Sequence, residues 1–110
     1  MAKKYFWLKL NKDFFRDKKI KKLRKIAGGD TFTIIYLKLA LETLNNDGVY
    51  EFDSVEDDIY SELALELDED VDDIKITVGY LEANGMLELN TNSDVALPYV
   101  IENLGSETDS

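Results

Sequence analysis

Histidine and cysteine are absent from the 110 residues, proline occurs once, and the apolar runs are broken by charges such as Lys38 and Glu42 before they could span a bilayer. Without cysteine there is neither a disulfide nor a thiol nucleophile. Without histidine there is no imidazole base and no Ser–His triad, and without both there is no zinc-finger-type site. These absences close most familiar catalytic chemistry, so a non-enzymatic protein with no catalytic residue, metal or cofactor is expected. Nothing resembles a signal peptide, which points to the cytoplasm and to no membrane association. What is present is 45% hydrophobic and 11% aromatic residues, enough to build the core of one ordinary domain.

Charge of one sign is also scarce, but unevenly. Residues 1–27 hold eleven of the thirteen basic groups against only Asp13 and Asp17, a net charge of +9. Residues 28–110 hold Lys38 and Lys75 against twenty-one acids, a net charge of −19. A cationic segment on an anionic body attracts phosphate or an acidic protein surface, while the rest repels nucleic acid. The two parts could equally neutralise each other within one fold or between subunits.

Along the chain, Tyr5-Phe6-Trp7-Leu8-Lys9-Leu10 reads as a short strand or apolar arm that needs covering. From Asp13 to Ile26 the spacing of Ile20, Leu23 and Ile26 predicts a helix, with Lys18, Lys19, Lys21, Lys22, Arg24 and Lys25 around the remainder. Gly28-Gly29 stops it and Asp30 is placed to cap the next helix, which is apolar on most sides from Thr31 to Leu44 and is expected to be central and buried. Asn45-Asn46-Asp47-Gly48 predicts a turn and Val49–Phe52 a brief strand. Ser54 and Asp57 suggest a capping box opening a helix with Val55, Ile59, Leu63 and Leu67 on one stripe.

Asp68-Glu69-Asp70 supplies acids to the start of a further helix, whose Val71, Ile74, Val78 and Leu81 form an amphipathic face ended by Asn84-Gly85. Met86–Leu89 and Val95–Leu97 around Asn90–Asp94 predict a hairpin with a flexible tip, then a short apolar piece from Tyr99 to Ile101 and a solvated tail. The expected class is mainly α with small β (α+β): a winged helix-turn-helix over residues 28–104, an N-terminal strand and helix extension over 1–27, and a polar tail over 105–110.

The sequence offers few sites for chemistry. Asp68, Asp70 and Asp72 match the first ligands of a calcium loop, but Asp73 stands at its glycine position and Gly79 at its bidentate glutamate. Gly28-Gly29 lacks the spacing of a phosphate loop, Ser54 and Ser61 lack a base, and no acid stands out as buried. The candidate nucleic-acid contacts are Lys18, Lys19, Lys21, Lys22, Arg24 and Lys25, with Lys75 on the later helix, where Thr77 and Tyr80 could read bases. Asp72, Asp73 and Glu82 oppose a duplex at that later helix. Tyr5, Phe6, Trp7, Leu8, Phe14 and Phe15 are candidates for a subunit interface or for the core, and the interleaving of Lys3, Lys4 and Lys9 with aromatics would also suit a single-strand platform. An intermolecular sheet or swapped arm would cover the strand.

Lys4-Tyr5-Phe6-Trp7-Leu8-Lys9-Leu10, Ile20-Lys21-Lys22-Leu23-Arg24, Gly28-Gly29-Asp30-Thr31-Phe32-Thr33-Ile34-Ile35-Tyr36, Leu63-Ala64-Leu65-Glu66-Leu67 and Gly105-Ser106-Glu107-Thr108 together resemble the N-terminal domain of phage replisome organizer proteins, related to DnaD-type primosome proteins. The resemblance implies a winged-helix domain that forms a homo-oligomer (dimer or higher), acts in replication initiation in a bacterial host cell, engages helicase-loading replication proteins and, in a longer full-length protein, origin DNA. The alternative is a pure oligomerisation and protein-docking module in which the +9 segment binds the acidic part of a neighbour.

Overall fold

The computed structural model describes residues 3–109, with side chains described for 5–105. The side chains of Lys3 and Lys4, read above as part of a single-strand platform, and Ser110 of the expected tail lie outside the described residues. The elements are β1 (Lys3–Leu8), a 3-10 turn (Phe14–Arg16), α1 (Lys18–Lys25), α2 (Gly29–Glu42), a second 3-10 turn (Leu44–Asn46), β2 (Val49–Tyr50), α3 (Ile59–Leu67), α4 (Val71–Ala83), β3 (Glu88–Leu89), β4 (Val95–Ala96), α5 (Pro98–Asn103) and β5 (Leu104–Asp109). Helices dominate, with two small antiparallel sheets: β1 with β5, and a three-stranded sheet in the order β2-β4-β3. The mixed α+β class follows directly.

Asp17 starts α1 by accepting a hydrogen bond from the Lys19 N–H at 2.7 Å, and Ile20 and Leu23 are its buried face. The chain then reverses through Gly28, at φ +84°, into α2. A Cβ on Gly29 would overlap the Leu23 and Arg24 carbonyls, so the first turn of α2 rests on the end of α1 only because that position is glycine. Gly28, not Asp30, is the residue at the N-cap of α2; Asp30 lies in its first turn and pairs with Arg24 at 2.8 Å.

Ile35, Tyr36, Leu39 and Ala40 make α2 the centre of the core, against Ile20, Leu63, Ile74, Val78 and Leu81 from its neighbours, and Phe32 is buried in its first turn. It is not buried all round. Ile34 and Leu41 are about half exposed or more, at 49% and 60%, because the packing of α1, α3 and α4 leaves that side of the helix open.

The expected capping box at Ser54 is replaced by a different device. Ser54 has φ +60°, Val55 is exposed, and Asp58 caps α3 by accepting from the Ser61 N–H at 2.8 Å. The reason is Glu62, a buried acid that the sequence pattern does not mark. From the first turn of α3 its carboxylate accepts the N–H groups of Asp53 and Val55, both at 2.8 Å, and the Tyr50 hydroxyl at 3.0 Å. Burial alone would raise its pKa, but the backbone N–H donors and the hydroxyl outweigh that and hold it below the ordinary value.

The later elements follow the sequence more closely. Asp70 caps α4 through the Asp72 N–H at 2.8 Å, and Ile74, Val78 and Leu81 are buried. The hairpin forms with Glu88 opposite Ala96 and Leu89 opposite Val95, while β2 lies on the other edge of β4. Its tip is held by the Asn90 side chain, which accepts from the Asn92 and Asp94 N–H groups.

Two segments depart from expectation. Pro98 opens a short helix, α5, where the sequence marks only a short apolar piece with no element assigned, since proline at the first position needs no backbone donor. Residues 105–110 were expected to be a polar, solvated tail; instead residues 104–109 form β5 and pair with β1, Leu8 facing Leu104 and Trp7 facing Gly105. The arm is thus covered within its own chain. Gly105 is required by the register: a Cβ there would overlap the Trp7 indole.

Candidate nucleic-acid interface

Helix α1 sorts its six cations by angular position. Lys18, Lys21, Lys22 and Lys25 recur at i, i+3, i+4 and i+7 and form one stripe on the side opposite buried Ile20 and Leu23. All four are exposed, and none is in an ion pair among the described residues. At 1.5 Å per residue the stripe runs about 10 Å. Like charges at this spacing repel, by about 0.2–0.5 kcal/mol per pair, so the arrangement weakens the isolated helix and is relieved by a polyanion.

The other two cations flank the stripe and have internal roles. Lys19 Nζ donates to the Asn84 carbonyl at 2.9 Å, at the end of α4, while the Tyr80 hydroxyl donates to the Lys19 carbonyl at 2.6 Å. Arg24 pairs with Asp30 and lies 5.9 Å from the centre of the Phe15 ring. Both are therefore docking residues of the fold as much as cations of its surface.

Lys75 is not brought to this group. It stands nine residues before Asn84, about 13 Å along α4 from the point where α1 touches that helix. Its field reaches Asp58 instead, whose carboxyl is held below its ordinary value first by the Ser61 N–H and, to a smaller extent, by Lys75. Thr77 is fully buried and donates to the Asp73 carbonyl at 2.8 Å, and Tyr80 is engaged with Lys19, so neither is placed to read a base. What α4 exposes beside Lys75 is Asp72, Ile76, Gly79 and Glu82. Gly79 sits mid-helix with nothing within 4 Å of the position of a Cβ. Gly79→Ala is therefore expected to stabilise the domain by about 0.5–1 kcal/mol in urea unfolding, since glycine costs that much in an exposed helix interior.

The aromatic candidates divide in a similar way. Phe14 belongs to the core of its own chain, edge-on to Phe15 at 5.0 Å and stacked on Tyr36 at 6.3 Å. Phe6 and Leu8 pack half-buried against that core, whereas Tyr5, Trp7 and Phe15 are exposed at 45%, 39% and 51%. Phe15 borders a shallow groove with Ile34 and Leu37 on the open side of α2.

A cleft of about 530 Å³ lies beside the first turn of α1, between the linker Asn11–Asp17 and Tyr36, Met86 and Tyr99. No sequence motif marks it, because its walls come from four separated segments. On the acidic side of the molecule Glu42 is held above its ordinary value, first by a hydrogen bond to Glu66 and then by burial. Two acid side chains, Glu42 and Glu66, thus meet on that side.

The N-terminal phage replisome organiser family has a model that matches residues 7–109. The chain belongs to that family. No curated protein and no solved structure matches it. In this replisome organiser domain the match takes in α1 and β5 whole, Trp7 and Leu8 of β1, and the residues of the cleft. Among the described residues, no helix is long and apolar enough to cross a membrane.

Proposed function

We propose that this replisome organiser domain is a non-enzymatic assembly module of replication initiation, cytoplasmic in the bacterial host, that holds nucleic-acid phosphates on the lysine stripe of α1. The single observation that carries this is that four lysines share one face with no carboxylate partner among the described residues. The order helix, strand, helix, helix, hairpin and the strand order β2-β4-β3 support a winged helix with an N-terminal extension. In that arrangement α4 would be the groove-reading helix, but Asp72, Asp73 and Glu82 put repulsion there, so contact is assigned to the extension. Self-association is assigned to Trp7 and Phe15, with Tyr5 on the same face of β1 as Trp7, and helicase-loading replication proteins are the expected further partners.

The Glu42–Glu66 pair favours one second reading: the stripe binds the acidic side of a sister subunit and the domain docks proteins only. Anisotropy of a labelled 20-mer duplex and of its single strand, together with sedimentation of the free protein at low and high salt, separates the two. Saturable binding of either oligonucleotide at low salt supports the nucleic-acid reading. Oligomers that dissociate in high salt, with no binding of either oligonucleotide, would replace it with the second.

A further inference from the structure

The open side of α2 carries an apolar stripe that its own chain leaves uncovered. Ile34, Leu37 and Leu41 recur at i, i+3 and i+7, so they lie on one face over about 10 Å, or two turns. Ile34 and Leu41 are about half exposed or more and Leu37 is half-buried. Phe15, exposed as well, borders a groove of about 320 Å³ with Ile34 and Leu37. Single exposed apolar residues are ordinary, but a contiguous set marks a contact surface.

The charges around the stripe decide what can cover it. Asp30 and Lys38 stand one turn before and one turn after Ile34, and each is paired with another part of the fold, Asp30 with Arg24 at 2.8 Å and Lys38 with Glu69 at 2.6 Å. The Thr33 hydroxyl, at the groove, donates to the Gly29 carbonyl at 2.8 Å. The face therefore offers a polyanion or a charged peptide little to pair with, and what it can gain is apolar burial. Glu42 lies about 100° around the helix from Leu41, turned to Glu66, so acids stand at the rim and not in the stripe. Two copies of a chain of net charge −10 repel over most of their surfaces, and a neutral apolar face is where they can touch without opposing acids. The stripe is also its own complement. About a two-fold axis that sets the two helices antiparallel, Ile34 of one copy meets Leu41 of the other, and Leu37 meets its own equivalent.

We propose that α2 pairs with α2 of a second copy of this chain through Ile34, Leu37 and Leu41, with Phe15 at the margin. This rests on the self-association reading and deepens it, because it seats the sister subunit on α2 and not on Trp7 of β1. The chain has no cysteine, so Leu37→Cys places a single thiol at the proposed axis. With oxidised glutathione that variant is expected to form a disulfide-linked dimer, whereas Ile76→Cys, a control at an exposed position of α4, is expected to stay monomeric. Sedimentation equilibrium from about 1 μM to about 1 mM is expected to show a monomer–dimer equilibrium whose Kd rises about tenfold or more in the double variant Ile34→Ser, Leu41→Ser. That change keeps the net charge, and circular dichroism checks that it keeps the fold. Because the contact is apolar and the rims repel, the wild-type dimer is expected to tighten as salt rises, the opposite of one held by the lysine stripe.

A dimer indifferent to both serine substitutions, or a Leu37→Cys chain that cross-links no better than Ile76→Cys, would overturn the proposal. If Trp7→Ala dissociates that dimer, self-association stands on β1 and only the α2 contact falls. A wild-type chain that is monomeric throughout would overturn both readings and leave the stripe to a different protein.

Discussion

Replacing Lys18, Lys21, Lys22 and Lys25 together by glutamate is expected to lower affinity for a short oligonucleotide by about 10²-fold or more at 50 mM salt. Each lysine that neutralises a phosphate releases a counterion, and four such contacts account for most of the attraction a molecule of net charge −10 can offer. The substitution reverses eight units of charge on one exposed stripe. The fold should survive, because those side chains project away from Ile20 and Leu23 and have no ion-pair partner to lose among the described residues. Far-ultraviolet circular dichroism should therefore be unchanged while binding is lost. Lys19 and Arg24 are left intact because they hold the end of α4 and Asp30, and changing them would mix a stability effect with a binding effect. Unchanged affinity in the fourfold variant would remove α1 from the interface.

The second large effect is expected in stability. Glu62→Ala should cost about 2–4 kcal/mol, because it removes the acceptor for two backbone N–H groups and the Tyr50 hydroxyl and leaves a void beneath residues 53–55. Urea unfolding measures the cost, and hydrogen exchange at Asp53 and Val55 reports whether the loop is the part released. The sign of the pH dependence follows from the same geometry. The folded-state pKa of Glu62 lies below its ordinary value of 4.5, so its contribution is fully present above that value and is lost as pH falls through the folded pKa. Wild-type stability should fall on acidification below about pH 4.5 more steeply than that of Glu62→Gln. A cost under about 0.5 kcal/mol for Glu62→Ala would show that solvent replaces the carboxylate without loss.

What could be read from the sequence was what local pattern determines. The Val71, Ile74, Val78, Leu81 spacing places α4 and Asp68-Glu69-Asp70 places acids at its start, because both depend on neighbours within a turn or two; that Asp70 is the cap is a detail of the structure. Gly28-Gly29 marks the α1–α2 reversal for a similar reason. The Ser54–Asp57 reading failed because a distant acceptor competes with a local cap: Glu62 binds the loop N–H groups, and in a chain with twenty-three acids nothing distinguishes it in advance. The pairing of β5 with β1 was equally hidden, since Gly105-Ser106-Glu107-Thr108 has the composition of a tail and only the Trp7–Gly105 register explains the glycine.

The candidate interface was legible as composition and not as geometry. Six cations on α1 are evident from the sequence, but which of them face outward depends on Asn84 and Asp30, and Asn84 lies more than sixty residues away. Thr77 shows the converse error. It sits on the right helix, but its angular position is on the buried side, beside Val78 and between Ile74 and Leu81.

The central claim is that a lysine face of fixed size meets phosphate on an otherwise anionic molecule, and the slope of binding against salt counts those contacts. A titration of single-stranded and duplex oligonucleotides from 50 to 200 mM salt is expected to give log K falling linearly with log salt concentration. For three to four phosphates the slope is about −2.7 to −3.6 on duplex and about −2.1 to −2.8 on single strands. A slope near zero, or one unchanged when Lys18, Lys21, Lys22 and Lys25 are replaced, would contradict the account.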